Sequence, residues 1–165
     1  MDFDHRLRVL LVEDDPIYVA MLDAFLSKPL DLHNVPTLRL ALKAAADIRF
    51  DIALLDLRLP DSSGVDTIRR FRREAPGLPV VAISAYMDDE MVTDCLVAGA
   101  EHALDKEHLM PGASDLLVWL LRTAELRHAA RTRTSPGLDM NPEINSVLDA
   151  SAKAVRALQV RMGIA

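Results

Sequence analysis

The sequence predicts an α/β fold: a doubly wound parallel sheet of five strands with helices on both faces, and a helical extension at the carboxyl end. Three observations predict it. Short apolar runs alternate with helix-period segments five times, the pattern left by successive right-handed strand–helix–strand crossovers. The central runs have no polar face, so they suit a sheet covered on both sides. The runs also end on chemistry: Glu13-Asp14-Asp15 after the first, Asp56 after the third, Ser84 after the fourth and Lys106 after the fifth.

Arg8-Val9-Leu10-Leu11-Val12 is the first strand. Asp15 then precedes Pro16, the signal of an N-cap with proline at the first helical position, where its missing N–H costs nothing. The helix runs through Ile17, Val19, Met21, Leu22, Phe25 and Leu26. Capping accounts for Asp15 but not for Glu13 or Asp14. Leu30 to Val35 is a more polar strand suited to a sheet edge, and Thr37 can cap a helix carrying Leu38, Leu40, Ala41, Leu42 and Ala45.

Ile52 to Leu55 is wholly apolar and ends in Asp56, before the loop Leu57-Arg58-Leu59-Pro60-Asp61-Ser62-Ser63-Gly64. Taken alone, Asp56 is either a turn cap or a functional group at a strand's carboxyl end, where open α/β sheets bind their ligands. Gly64 to Glu74 is a helix with Val65, Ile68 and Phe71 inward; Arg69, Arg70, Arg72 and Arg73 form its other face, read as solvated. Ala75-Pro76-Gly77 turns into the strand Leu78 to Ile83, which ends at Ser84-Ala85. Asp88 to Ala98 is a fourth helix stopped by Gly99, with Cys95 on it as an inert, half-buried thiol. Ala100 to Asp105 is the fifth strand, and Ser114 or Asp115 opens a final helix to about Arg131.

The balance of residues narrows the function classes. Of 165 residues half are apolar and few are aromatic, so the core is aliphatic. The longest apolar run, Leu116 to Leu121, is far too short to span a membrane, and the amino end Met1-Asp2-Phe3-Asp4-His5 has no signal segment; a cytoplasmic protein is expected. A single cysteine excludes an internal disulfide or a Cys-based zinc site. The net charge of −6 is uneven, with 14 Lys and Arg against 22 Asp and Glu before residue 131. That acidity argues against non-specific DNA binding and, around Glu13-Asp14-Asp15 and Asp56, favours a hard cation.

Strand ends of one sheet converge on one side, so Glu13, Asp14, Asp56, Ser84 and Lys106 form a single constellation. Gathered carboxylates repel unless they bind a cation, and Mg2+ fits because it seeks oxygen and needs few protein ligands. A lysine and a hydroxyl opposite would hold the oxygens of a transferring phosphoryl group, with Asp56 as the nucleophile that becomes an acyl phosphate.

On these residues the sequence resembles the receiver domains of the two-component response-regulator family, from residue 6 to about 128. Val12-Glu13-Asp14, Asp56-Leu57-Arg58-Leu59-Pro60-Asp61 with Gly64, Ser84-Ala85, and Gly99-Ala100 before Lys106 carry the likeness. The resemblance implies a flavodoxin-like strand order 2-1-3-4-5. It implies that Asp56 accepts a phosphoryl group from the phosphohistidine of a sensor histidine kinase or a histidine phosphotransfer protein, in a signalling switch that catalyses its own modification. It further implies Mg2+ held directly by Asp14, through water by Glu13, and by Asp56 and the backbone carbonyl of Arg58, with Ser84 and Lys106 contacting the phosphoryl group. Two positions depart from the family pattern. Ala103 stands where receivers usually carry Tyr or Phe, and Glu107 follows Lys106 where they usually carry Pro. These departures keep open an alternative, a receiver-like interaction scaffold that signals without phosphate. A phosphatase motif is not met, because Arg58 stands two residues after Asp56.

The expected boundaries are a receiver domain over 6–130, a linker over 131–141, and an amphipathic helix over 142–163 opened by Asn141-Pro142. The 35 residues from Arg131 offer little room for a DNA-binding output domain, so no direct DNA binding is expected. Ile144, Val147, Leu148, Val155, Leu158 and Met162 recur at helical spacing. They are expected to pack on the helix holding Leu116 to Leu121 and Trp119, within one chain or across a homodimer.

Overall fold

The computed structural model describes residues 7–26 and 30–109. The final receiver helix, the linker 131–141, the helix 142–163 and the homodimer face expected there lie outside the described residues.

Five strands, β1 (Leu7–Val12), β2 (Leu30–Val35), β3 (Ile52–Asp56), β4 (Val80–Ser84) and β5 (His102–Asp105), form one parallel sheet in the order β2-β1-β3-β4-β5. This is the order 2-1-3-4-5 that the resemblance implies. Helices α1 (Pro16–Leu26), α2 (Leu38–Asp47), α3 (Val65–Glu74) and α4 (Asp89–Val97) cover it. The period-two alternation of a strand divides β1 between two cores. Val9 and Leu11 join Tyr18 and Leu22 of α1, whereas Leu10 and Val12 join Leu38 and Ala41 of α2, Ile68 and Phe71 of α3, and Cys95 of α4. β3 and β4 are buried along their whole length, as their apolar runs require.

The register then aligns the strand ends. Val12 pairs with Leu55, Asp56 with Ile83 and Ser84 with Asp105, so Glu13 lies level with Asp56, Ser84 one residue further along and Lys106 two. The backbone N–H of Glu13 still donates to Val35 O at 3.0 Å, extending the sheet by one rung.

The capping signals act as their chemistry dictates. Asp15 Oδ1 accepts from Ile17 N at 2.9 Å and Tyr18 N at 3.4 Å, Thr37 Oγ1 from Leu40 N at 3.2 Å, and Asp88 Oδ1 from Met91 N at 2.8 Å. Gly99 follows α4 with φ 105°, a left-handed conformation that suits glycine, and a Cβ there would sit 3.4 Å from the Arg72 side chain.

Several details differ from the sequence reading. The inward face of α1 is Tyr18 and Leu22, while Ile17 (72%) and Phe25 (54%) are exposed. Cys95 is fully buried, not half-buried, because α4 turns it into the core shared with Phe71. Arg72 is not simply solvated: its Nη1 donates to Leu78 O at 3.0 Å and ties α3 to the turn before β4. The loop after Asp56 holds a two-rung antiparallel ladder, Arg58–Leu59 with Ser62–Ser63, around the Pro60-Asp61 turn. No helix among the described residues is long and apolar enough to cross a membrane.

Candidate functional site

β3 ends in Asp56, only 2% exposed, because the strand is central and its last residue is still paired with β4. Its two oxygens have different partners. Oδ1 accepts from Arg58 N at 3.0 Å, and Oδ2 accepts from Lys106 Nζ at 2.7 Å. Lys106 begins the short helical turn after β5 and reaches back past the end of β4 to do this.

Glu13 lies on the other side of the same ammonium, ion-paired through Oε2, and is 1% exposed. Its Oε1 accepts from Asp15 N at 3.0 Å, while Asn34 Nδ2 donates to the carbonyls of Leu11 (3.3 Å) and Glu13 (3.1 Å) and pins the end of β1. Asp14 is exposed. Ser84 closes β4, buried, its Oγ accepting from Tyr86 N at 3.4 Å.

The electrostatics follow from burial. Desolvation lifts the Glu13 carboxyl above its ordinary range, and the charge of Asp56 adds to this; the hydrogen bonds from Lys106 and Asp15 work against it. Burial pulls the Lys106 ammonium down, but its bonds to Asp56 and Glu13 outweigh that and hold it above its ordinary value.

One oxygen each from Glu13, Asp14 and Asp56 lies within 4.8 Å of the others, a hard, all-oxygen donor set open on the Asp14 side. The buried Oε2 of Glu13 has Lys106 as its partner. The donor set fits a small divalent cation. This acidic cluster beside a lysine has the architecture of a phosphoacceptor and Mg2+ site of receiver domains.

Every side chain the sequence singled out for the site is therefore at one end of the sheet, with Glu13, Asp14, Asp56 and Lys106 in one group and Ser84 at the adjoining strand end. Three neighbours were not legible. Tyr18 of α1 presents its ring to Lys106, 4.7 Å from Nζ to the centroid. Asp61 accepts from Leu38 N and Arg39 N, each at 2.9 Å, and so caps α2 from the phosphoacceptor loop. Asn34 pins β1 from the edge strand. The cap signal at Asp15 could have hinted at Tyr18, three residues on at the first turn; the other two depend on contacts that local pattern does not carry.

Known proteins agree. The chain is 31% identical over 159 residues to the response regulator protein PilR of Pseudomonas aeruginosa, covering 96% of this chain and 33% of that protein. It is 32% identical over 145 residues to the DNA-binding response regulator MtrA of Mycolicibacterium smegmatis, covering 87% and 58%. The chain thus spans about a third of the one relative and somewhat over half of the other. A CheY-like response regulator receiver domain from Methanospirillum hungatei shares the fold, with a TM-score of 0.65 at 22% identity over 76% of this chain and 99% of that one. The sheet order, the acid–lysine pairing at its carboxyl edge, and a match of the response regulator receiver domain to residues 9–117 together establish that this chain belongs to the receiver-domain family of response regulators.

Proposed function

We propose that the chain is a phosphorylation switch in which Asp56 accepts a phosphoryl group from a phosphohistidine on a sensor histidine kinase or a histidine phosphotransfer protein. The observation that carries this reading is the Lys106–Asp56 contact of 2.7 Å beside Glu13 and Asp14. An Asp56 oxygen attacks phosphorus, the P–O bond forms as the P–N bond breaks, and the electron pair returns to the imidazole, which takes up a proton. The loose transition state leaves the protein mainly to position groups and stabilise charge. Lys106 is placed to follow the phosphoryl oxygens, and Ser84 to meet them from β4. Asp14, Glu13 through water, Asp56 and the Arg58 carbonyl would hold Mg2+, which when bound offsets negative charge on the phosphoryl oxygens.

The reading carries a cytoplasmic setting and a protein, not DNA, as the direct partner of the described domain. It also carries a homodimer through the last receiver helix and the 142–163 helix. The test is intact-mass measurement after exposure to a small phosphodonor with and without Mg2+. A single phosphate that requires Mg2+ and Asp56 supports the switch. No incorporation favours the scaffold alternative, which Ala103 (8% exposed, with no ring to turn inward) and Glu107 recommend.

A further inference from the structure

Tyr18 belongs to none of the motifs that make the acid–lysine site, yet α1 brings it there. The Asp15 cap fixes the first turn by accepting from the N–H groups of Ile17 and Tyr18, so the ring is delivered from a rigid element. It is 7% exposed and its centroid lies 4.7 Å from Lys106 Nζ, within cation–π range. The ammonium is thereby enclosed by Asp56, Glu13 and an aromatic ring, and the Lys106 side chain is only 15% exposed. The Tyr18 hydroxyl is buried with no hydrogen-bond partner. Burial first, then the charges of Glu13, Asp56 and Asp105, push its titration upward, so the phenol is held neutral and its ring keeps the electron-rich face of an uncharged arene. Ala103 packs in the core on the opposite side of the sheet from Tyr18, so α1 supplies the ring at this lysine.

We infer that Tyr18 is a positioning residue for phosphoryl transfer, its ring holding the Lys106 ammonium against Asp56 before the phosphoryl group arrives. The inference rests on the switch function proposed above. A lysine stem is long and its ammonium strongly hydrated, so an open third side would let water compete with Asp56. The attraction of the ring, unlike that of the two carboxylates, does not depend on how much of their charge is offset by a proton or a cation.

The test keeps the shape of the site and varies only the ring. In the full chain, position 18 is changed Tyr18→Phe and then to 4-fluoro-, 3,5-difluoro- and 3,4,5-trifluorophenylalanine, which progressively weaken the negative ring face. Initial rates of phosphate uptake from acetyl phosphate with Mg2+ are read by mass spectrometry. Tyr18→Phe should match wild type, and the fluorinated series should fall stepwise by about tenfold in all. The same series in a Lys106→Met background should be flat, which a merely structural role of Tyr18 would not produce. Rates unchanged by fluorination, or an equal fall without Lys106, overturn the inference while leaving the switch function standing. A wild-type chain that takes up no phosphate overturns the switch reading and this inference with it.

Discussion

Lys106 Nζ sits 2.7 Å from Asp56 Oδ2 and pairs at the same time with Glu13, so one ammonium neutralises carboxylates carried by two neighbouring strands. Lys106→Met should leave those carboxylates facing each other almost out of water. The expected loss of stability is about 3 kcal/mol, and Mg2+ should restore part of it. The folded ammonium titrates above its ordinary 10.5, so its contribution is complete below that pH and is lost only as pH rises through the raised value. Urea melts of both proteins from neutral to alkaline pH, with and without Mg2+, check this; equal stability at neutral pH would show that the pair contributes nothing.

Asp56→Asn is nearly isosteric and should abolish phosphate uptake while leaving the fold. Phosphate incorporated at the wild-type level would move the acceptor elsewhere. Asp14 is exposed, so Asp14→Ala should spare stability and instead lose Mg2+ binding. Wild type should gain about 1.4 kcal/mol at ten times its dissociation constant for Mg2+, and the Asp14→Ala variant almost none. Thermal melts across a Mg2+ titration read the difference, and matching titrations would transfer the ligand role to Glu13 and Asp56.

Asp61→Ala removes the acceptor for two N–H groups at the start of α2 and should cost about 1 kcal/mol. Burial is the largest single influence and raises the Asp61 carboxyl. The N–H groups of Arg39 and Leu38, its own N–H and the charge of Arg70 together outweigh it and hold the group below its ordinary 3.8. Its contribution is therefore present above that pH and disappears as pH falls through the depressed value. The gap in stability between wild type and variant should hold steady near neutrality and close in acid. No gap near neutrality would mean that Thr37 alone serves this helix, and a gap that persists in strong acid would mean that the charge of Asp61 is not what holds it.

Burial, with a smaller effect from Asp94, pushes the Cys95 thiol up to about 11, and none of the residue is exposed. Native protein should label with a thiol reagent only by opening, with a rate that climbs as urea lowers stability. Labelling of the native chain as fast as a free thiol would contradict its place in the core.

Where a feature rests on neighbours in sequence, the residues declared it. Asp15-Pro16, Thr37, Asp88 and Gly99 mark helix ends because caps are local chemistry. Ile52 to Leu55 reads as a buried strand because every side chain in it is apolar. The gathering of Glu13, Asp14, Asp56, Ser84 and Lys106 was legible because parallel strands share one carboxyl edge. What escaped depends on approach through space. Asp61 looks like an ordinary turn residue until the loop meets α2. Tyr18 looks like one apolar residue among several, and only the rotation of α1 decides that it turns inward while Ile17 and Phe25 face water. That rotation is fixed by packing on β1 and by the cap together, which no window of sequence contains.

The loop that follows Asp56 is fastened at several points. Leu59 is buried, Ser62 Oγ and Thr67 Oγ1 share a hydrogen bond of 2.7 Å, Gly64 N donates to Leu57 O at 2.7 Å, and Asp61 grips α2. Across the site the wall is thinner, with Ala85 and Tyr86 exposed and the Ser84–Tyr86 bond stretched to 3.4 Å. The site therefore has an anvil on one side and a spring on the other. A phosphoryl group on Asp56 would find little give in the loop it belongs to and more between β4 and α4, so any movement it caused would be expected on that second side.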